Sequence, residues 1–356
     1  MGGAENYCLR LIAYAAIDRF DWHVTSGNLR NAVMESLYRD AGVTTHHMSP
    51  GYANPKLIWQ FRRFLDAKDF DIIMSFNGIF GGLSLLLAKQ RGIPVRVGWH
   101  RRSTPAYSAT SGRRLYSAMS LRMLERSATH ILSNSRTALD QFHGSKWRDN
   151  DRYRVIPNGV DADRFRPCAG LGHAVRGEFS IPLSSFVIGH IGRFDPAKDH
   201  ETLLATVRAV RDRGLDARLL VAGTGTDSAS FSARLRHYKL EDVASCLGPR
   251  QDVERLYQAM DIFLFPSVTE GQPNALIEAM LSGIRIMASD IGPIRETVPE
   301  FLHNSLFRAG DSSGAADLLL TTINDSSDDV KRARAWATDY YNPSRNFDAV
   351  LEVLGA

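Results

Sequence analysis

What this chain lacks narrows it first. Among its 356 residues only three are cysteines, Cys8, Cys168 and Cys246, and they show no metal-type spacing. So sparse and odd a count excludes a disulfide scaffold and fits a reducing compartment. No apolar run reaches the roughly 20 residues that a membrane-crossing helix needs, and no signal-peptide pattern opens the sequence. A cytoplasmic location is therefore expected. No internal repeat or low-complexity tract occurs, which excludes solenoids and compositionally disordered chains. No recognition helix or aromatic-rich RNA motif is present, so nucleic acid is not an expected partner. Gly223-Thr224-Gly225 has the look of a dinucleotide fingerprint but lacks its third glycine at the required spacing.

What is there is ordinary in bulk and uneven in layout. Hydrophobic residues make up 44% and charged residues 23%, as in soluble globular proteins. The length exceeds one comfortable core and implies two domains. Residues 1–170 hold 24 Lys and Arg against 14 Asp and Glu, whereas residues 171–356 hold 19 against 25. The basic half predicts an anionic partner, such as a membrane surface or a lipid phosphate. Apolar runs alternate with amphipathic ones throughout, as in parallel α/β layers. In the first half, strands are expected at 22–25, 43–48, 70–75, 94–98, 129–133 and 154–156. The second set is expected at 186–191, 217–222, 244–247, 262–265, 284–288 and 305–307. The segment 157–167, with proline, glycine and aspartates, reads as a linker. The expected division is 1–160, then 161–342, then a last helix in 343–356.

The densest chemistry lies in Ser267-Val268-Thr269-Glu270-Gly271-Gln272-Pro273-Asn274-Ala275-Leu276-Ile277-Glu278. It follows an apolar run that reads as a buried strand and opens a helix that Gly283 ends. Pro273 suits the first helical turn, where its missing N–H costs nothing. The N–H groups of Asn274, Ala275 and Leu276 would then form an anion site suited to a diphosphate. Glu270 lies in the loop before the helix, and Glu278 sits one turn past Asn274 on the same face. Two carboxylates flanking an anion site would grip the two neutral ends of a nucleotide sugar. A capped helix with solvent-facing glutamates is the alternative for the stretch alone.

The form Glu-Gly-x-Pro-Asn-x-Leu-x-Glu-Ala-Met resembles the signature of retaining family-4 glycosyltransferases of GT-B fold. Val155-Ile156-Pro157-Asn158-Gly159-Val160-Asp161, with Phe165 and Pro167, resembles the segment between that family's domains. Ile191-Gly192-Arg193-Phe194-Asp195-Pro196-Ala197-Lys198-Asp199 resembles its phosphate-clamp loop, and Gly2-Gly3-Ala4-Glu5 its N-terminal glycine loop. The resemblance implies two Rossmann-like doubly wound domains facing a cleft, the first on the acceptor side and the second binding the nucleotide sugar. It implies a nucleotide diphosphate sugar as co-substrate, UDP by family base rate, a glycan or lipid-linked acceptor, and no metal or other cofactor. The last helix would cross back to the first domain.

Residue by residue, Arg193 and Lys198 would neutralise the leaving diphosphate, and Gly2 and Gly3 would admit the donor's phosphates because they lack Cβ. His100 resembles the family's N-domain histidine near the sugar and acceptor. Arg250, in Gly248-Pro249-Arg250, lies near the loop that holds the base. Glu270, Gly271, Asn274, Ala275, Leu276 and Glu278 complete the donor set. Gln272 departs from the aromatic or glycine of many relatives. His46, His47, His130 and His190 read as structural or surface residues. Asp161-Ala162-Asp163 has a metal-binding form but falls inside the linker match, with no other ligand cluster beside it.

Arg113, Arg114, Arg122 and Arg126 share a helix with Leu115, Met119, Leu121 and Met123. Such a helix either lies on an anionic membrane, peripheral on its inner face, or is half-buried with a solvated side. A glycine loop at a helix start normally follows a strand. The reading therefore expects a central strand ahead of Gly2, in an in-frame upstream segment of about six to eight mostly apolar residues. Two other functions share this architecture: a sugar-nucleotide epimerase, which would need carboxylates placed for elimination, and a non-catalytic nucleotide-sugar-binding protein.

Overall fold

The computed structural model describes residues 3–15, 19–27, 32–51, 54–103, 111–323 and 328–355. The chain divides into two compact units, residues 1–159 with 343–356, and residues 160–342.

The first unit holds strands β1 (His23–Thr25), β2 (Thr44–His46), β3 (Ile72–Ser75), β4 (Val95–His100), β5 (His130–Ser133) and β6 (Tyr153–Val155). All pair in parallel, but in two separate groups: β1 with β2, and β3-β4-β5-β6 in that order. Helix Gly3–Tyr14 brings Tyr7, Leu11 and Ala15 onto Val97, Trp99 and Leu132. Phe347, Val350, Leu351 and Leu354 of helix Pro343–Leu354 close the same core. A 3-10 turn, Gly78–Gly81, precedes helix Gly82–Gln90, which packs closely on a neighbouring helix. A Cβ on Gly82 would overlap the Ser120 carbonyl of helix Ser111–Ser127.

In the second unit, β7 (Phe186–Ile191), β8 (Ala217–Ala222), β9 (Ala244–Cys246), β10 (Ile262–Phe265), β11 (Arg285–Ser289) and β12 (Leu306–Phe307) form one parallel sheet. Its order is β12-β11-β10-β7-β8-β9, the doubly wound arrangement of a dinucleotide-type fold. Period-two alternation sends Phe263 and Phe265 to one face and Ile262 and Leu264 to the other, so β10 is buried on both sides. Two helices escaped the pattern reading, Leu171–Glu178 and Gly292–Thr297. Both are short and glycine-bearing. In the first, Gly172 allows contact with the backbone carbonyl of Gln258.

Candidate active site

The strand order reverses between β7 and β10, and ligands of open parallel sheets bind at the carboxyl ends of the strands at such a point. Loop 192–199 leaves β7 and loop 266–273 leaves β10. The Val268 N–H donates to the Ala197 carbonyl at 2.9 Å and ties the two loops together. Gly223 makes the crowding possible, with φ at +146° and the Gly192 carbonyl standing where a Cβ would go.

The Asp195 carboxylate caps the turn Pro196–Lys198 by accepting from the Ala197 N–H at 2.9 Å. The turn presents Lys198, whose ammonium is ion-paired with the Glu270 carboxylate; their side chains are only 19% and 12% exposed. The Lys198 Nζ also stands 4.8 Å from the centroid of the Phe265 ring. Two residues singled out separately in the sequence are thus partners. Arg193, on the same loop, is exposed and makes no ion pair with any described residue.

Helix Asn274–Leu281 starts at Asn274 as expected, with Pro273 as its N-cap and not within its first turn. The Leu276 N–H does not point outward as expected. It donates to the Pro273 carbonyl at 3.2 Å, as does that of Ile277 at 3.3 Å, because a proline cap lacks a side-chain acceptor and the first turn tightens instead. Asn274 and Ala275 open the first turn, three and four residues after Gly271 in the chain.

Glu278 does share the helix with Asn274, and Tyr257 backs it. The Tyr257 hydroxyl lies 3.1 Å from Glu278 Oε2 and 2.9 Å from the Ala275 carbonyl. Burial first, and then the Glu278 charge, push that phenol well above its usual range, so it stays a neutral donor. Arg250 is already engaged: its guanidinium forks onto Asp252 at 2.8 and 2.7 Å. Asp161 Oδ1 accepts from the N–H groups of Asp163 and Arg164 at 2.9 and 3.4 Å, which makes the Asp-x-Asp a turn.

Behind the Lys198 loop lie His190, read from the sequence as structural or surface and found buried, and His200, which the pattern reading passed over. His190 Nδ1 donates to the Leu264 carbonyl at 2.9 Å, which leaves Nε2 bare and buried, without a partner among the described residues. Neither His200 ring nitrogen has one among the described residues either, and the two rings meet edge to face at 4.9 Å. Burial pushes both below the usual imidazole value, His200 to about 4 with help from the Lys198 charge. Both rings are neutral.

In the first unit, His100 ends β4 and is 1% exposed. Its Nε2 is 2.9 Å from His143 Nε2, and His143 Nδ1 is 2.9 Å from Glu125 Oε1. Phe142 stacks on the His100 ring with centroids 4.9 Å apart. Gly3 opens helix Gly3–Tyr14; Gly2 lies outside the described residues.

Comparison with known proteins decides the family. Residues 2–159 match the glycosyl transferase 4-like domain, and residues 185–325 match glycosyl transferases group 1. The chain belongs to the group 1 glycosyltransferases of GT-B fold. It is 27% identical to EpsF of Bacillus subtilis over 296 residues, covering 81% of this chain and 76% of that protein. It is 22% identical to a UDP-Gal:alpha-D-GlcNAc-diphosphoundecaprenol alpha-1,3-galactosyltransferase of Escherichia coli, over 82% of this chain and 76% of that one. Its fold matches HepE of Anabaena, solved with UDP-glucose, with a TM-score of 0.82 at 19% identity, over 100% of this chain and 96% of the other.

In this glycosyltransferase the contacting residues that the motif reading missed stand behind the motif. Tyr257 reaches Glu278 from another helix, and Glu125 and His143 reach His100 from two. No spacing rule in the sequence joins them.

Proposed function

We propose that this glycosyltransferase moves a sugar from a UDP-sugar to a glycan or lipid-linked acceptor, with retention at the anomeric carbon and without a metal ion or other cofactor. The observation that carries the reading is the Lys198–Glu270 pair, held at the switch point beside the mouth of helix Asn274–Leu281. As the bond between the anomeric carbon and the diphosphate breaks, its electron pair passes to a phosphate oxygen. Lys198, Arg193 and the N–H groups of Asn274 and Ala275 receive that charge in place of a cation. Gly271 keeps the loop free of a side chain beside the phosphates. Glu270 takes the sugar's hydroxyls and Glu278, steadied by Tyr257, the ribose diol. Arg250 serves through the backbone of its loop, since its guanidinium is spent on Asp252. His100 contacts the sugar or acceptor. The UDP and the lipid-linked acceptor are supported by the substrates named for HepE and the Escherichia coli relative.

Association with an anionic membrane is part of the same proposal. On helix Ser111–Ser127, the exposed Leu115, Met119, Arg122 and Arg126 fall at i, i+4, i+7 and i+11, a single stripe. Leu115 is 65% and Met119 52% exposed, while Leu121 and Met123 are half-buried. The Arg113 side chain lies outside the described part. Two apolar side chains followed by two cations suit the boundary between acyl chains and anionic headgroups. Among the described residues no helix is long and apolar enough to cross a membrane.

The test is a mass-spectrometric screen of UDP- and GDP-sugars for hydrolysis and transfer, with the product's anomeric configuration read by NMR. Inversion, or no turnover of any UDP-sugar, refutes the reading. Flotation with phosphatidylglycerol vesicles tests the membrane arm, which R122E/R126E should abolish.

A further inference from the structure

Three side chains of the first unit stand in line. Glu125 comes from helix Ser111–Ser127, His143 from the last residue of helix Arg136–His143, and His100 from the end of β4. Both contacts are 2.9 Å. The His143 side chain is 2% exposed and the Glu125 side chain 39%, so the line runs inward from near the surface. At its inner end, His100 Nδ1 is buried and has no partner among the described residues. It faces Gly78, where a Cβ would come within 3.4 Å of that nitrogen. Gly78 has a φ of +55°, so the side chain left out there is left out next to a bare nitrogen.

We propose that Glu125 and His143 are positioning residues that fix His100 as its Nε2–H tautomer and hold its Nδ1 as a bare acceptor for a substrate hydroxyl. The proton order follows from valence. A carboxylate only accepts, so His143 carries its hydrogen on Nδ1. A neutral His143 then has a bare Nε2, which must accept from the Nε2–H of His100. A neutral His100 is left with its lone pair on Nδ1. Both rings are neutral because burial holds each below the usual imidazole value, His100 at about 3. Phe142 on the face of His100 and Tyr153 edge-on to His143, at 5.0 Å, fix the two ring planes.

This deepens the proposed function and rests on it for the identity of the ligand. A bare imidazole nitrogen accepts from a hydroxyl and repels a carboxylate or phosphate oxygen, lone pair against lone pair. The substrate group placed there must therefore carry a hydrogen, as the hydroxyl of a neutral sugar does and the carboxylate of a uronic acid does not. The hydroxyl comes either from the donor sugar or from the acceptor.

The experiment uses the whole chain with 15N-labelled histidine. NMR of the ring nitrogens reads the tautomer of His100 without any substrate, with His100→Gln assigning the signal. The expected result is Nε2 protonated and Nδ1 bare. Glu125→Lys offers His143 only N–H donors, which reverses the chain and moves the proton of His100 to Nδ1. That variant should melt like the parent and lose about tenfold in kcat/KM towards a neutral UDP-hexose, the scale of one hydrogen bond, with the loss absent for a UDP-hexuronate. A loss already present in donor hydrolysis assigns the hydroxyl to the donor, and one seen only in transfer assigns it to the acceptor. An Nδ1–H tautomer in the parent overturns the proposal. So does a Glu125→Lys protein with unchanged tautomer and kcat/KM. A parent with the expected tautomer that turns over no nucleotide sugar counts against the proposed function and leaves the relay standing.

Discussion

Lys198 and Glu270 come from loops 72 positions apart in the chain and meet in a largely buried ion pair under the ring of Phe265. A diphosphate bound at the helix mouth would compete with Glu270 for the same ammonium. On the proposed function the glutamate would keep the lysine in place and neutralised until phosphate takes it over, and would then be released towards the sugar's hydroxyls. Removing its charge should separate the two roles. Glu270→Gln is expected to bind UDP as tightly as the parent or more tightly, while UDP-sugar turnover falls by about tenfold or more, as for a lost charged hydrogen bond. Calorimetry with UDP and a turnover assay check this together. Weaker UDP binding with normal turnover would contradict it.

Lys198→Ala and Arg193→Ala are each expected to lower kcat by roughly 100-fold, because the diphosphate gains charge only as the bond breaks. Arg193 is exposed and unpaired with any described carboxylate, so its loss should leave stability unchanged. Lys198→Ala strands the Glu270 carboxylate and should also lower the melting temperature. Both assays should give the same parent rate with and without EDTA. A rate that collapses on chelation and returns with Mg2+ would show that a cation, not these side chains, takes the charge.

Glu278→Ala should weaken nucleotide binding by about 1–3 kcal/mol, the range for hydrogen bonds to a charged group. Tyr257→Phe should have a smaller effect of the same sign, since it frees Glu278 to turn without removing it. Equal UDP affinity for all three proteins in calorimetry would remove Glu278 from the donor site.

The strands and the donor loop were legible in the sequence because their signals are local. The expected strands 186–191, 217–222 and 262–265 coincide with β7, β8 and β10, where apolar runs are bounded by glycine, proline or aspartate. The site residues were legible as identities and not as partners. Lys198 and Glu270 each stood in a motif, yet their contact arises from a strand order that reverses between β7 and β10. The fork of Arg250 onto Asp252 lies only two residues along and was still missed, because side-chain direction is set by the turn and not by spacing. His190 reads as one polar residue in an apolar strand, and only burial shows that its Nε2 faces the clamp loop.

Gly223→Ala tests whether the loops need their close approach. An added Cβ would meet the Gly192 carbonyl, and φ at +146° strains any other residue. The variant should melt several degrees lower and lose donor binding, since loop 192–199 cannot stay where it is. Gly214→Ala makes a control for the strain alone: it also has a positive φ, +91°, but no atom stands within 4 Å of the added Cβ. It should lose stability and keep donor affinity. Equal donor affinity in Gly223→Ala would show that the packing at this glycine does not set the site.

The buried histidines set the last expectation, on stability against pH. His100 is held at about 3 and His200 at about 4, in each case chiefly by burial, and His190 is lowered in the same sense. Unfolded, each would titrate near 6.5. Below that value the unfolded chain binds protons that the folded chain refuses, so stability rises with pH in this window and is lost as pH falls through it. Each fully neutral histidine gives up about 1.4 kcal/mol per unit below 6.5, or roughly 2 kcal/mol by pH 5. Paired carboxylates such as Asp252 and Asp290 are lowered as well, and their contribution is lost only in stronger acid. The melting temperature is therefore expected to fall steadily from pH 7 to pH 5, before the carboxylates titrate. Replacing His200 by Asn should flatten that fall by one histidine's share. A melting temperature constant between pH 7 and 5 would mean that these rings take up protons in the folded protein, and would remove the neutral state on which the His100 tautomer also depends.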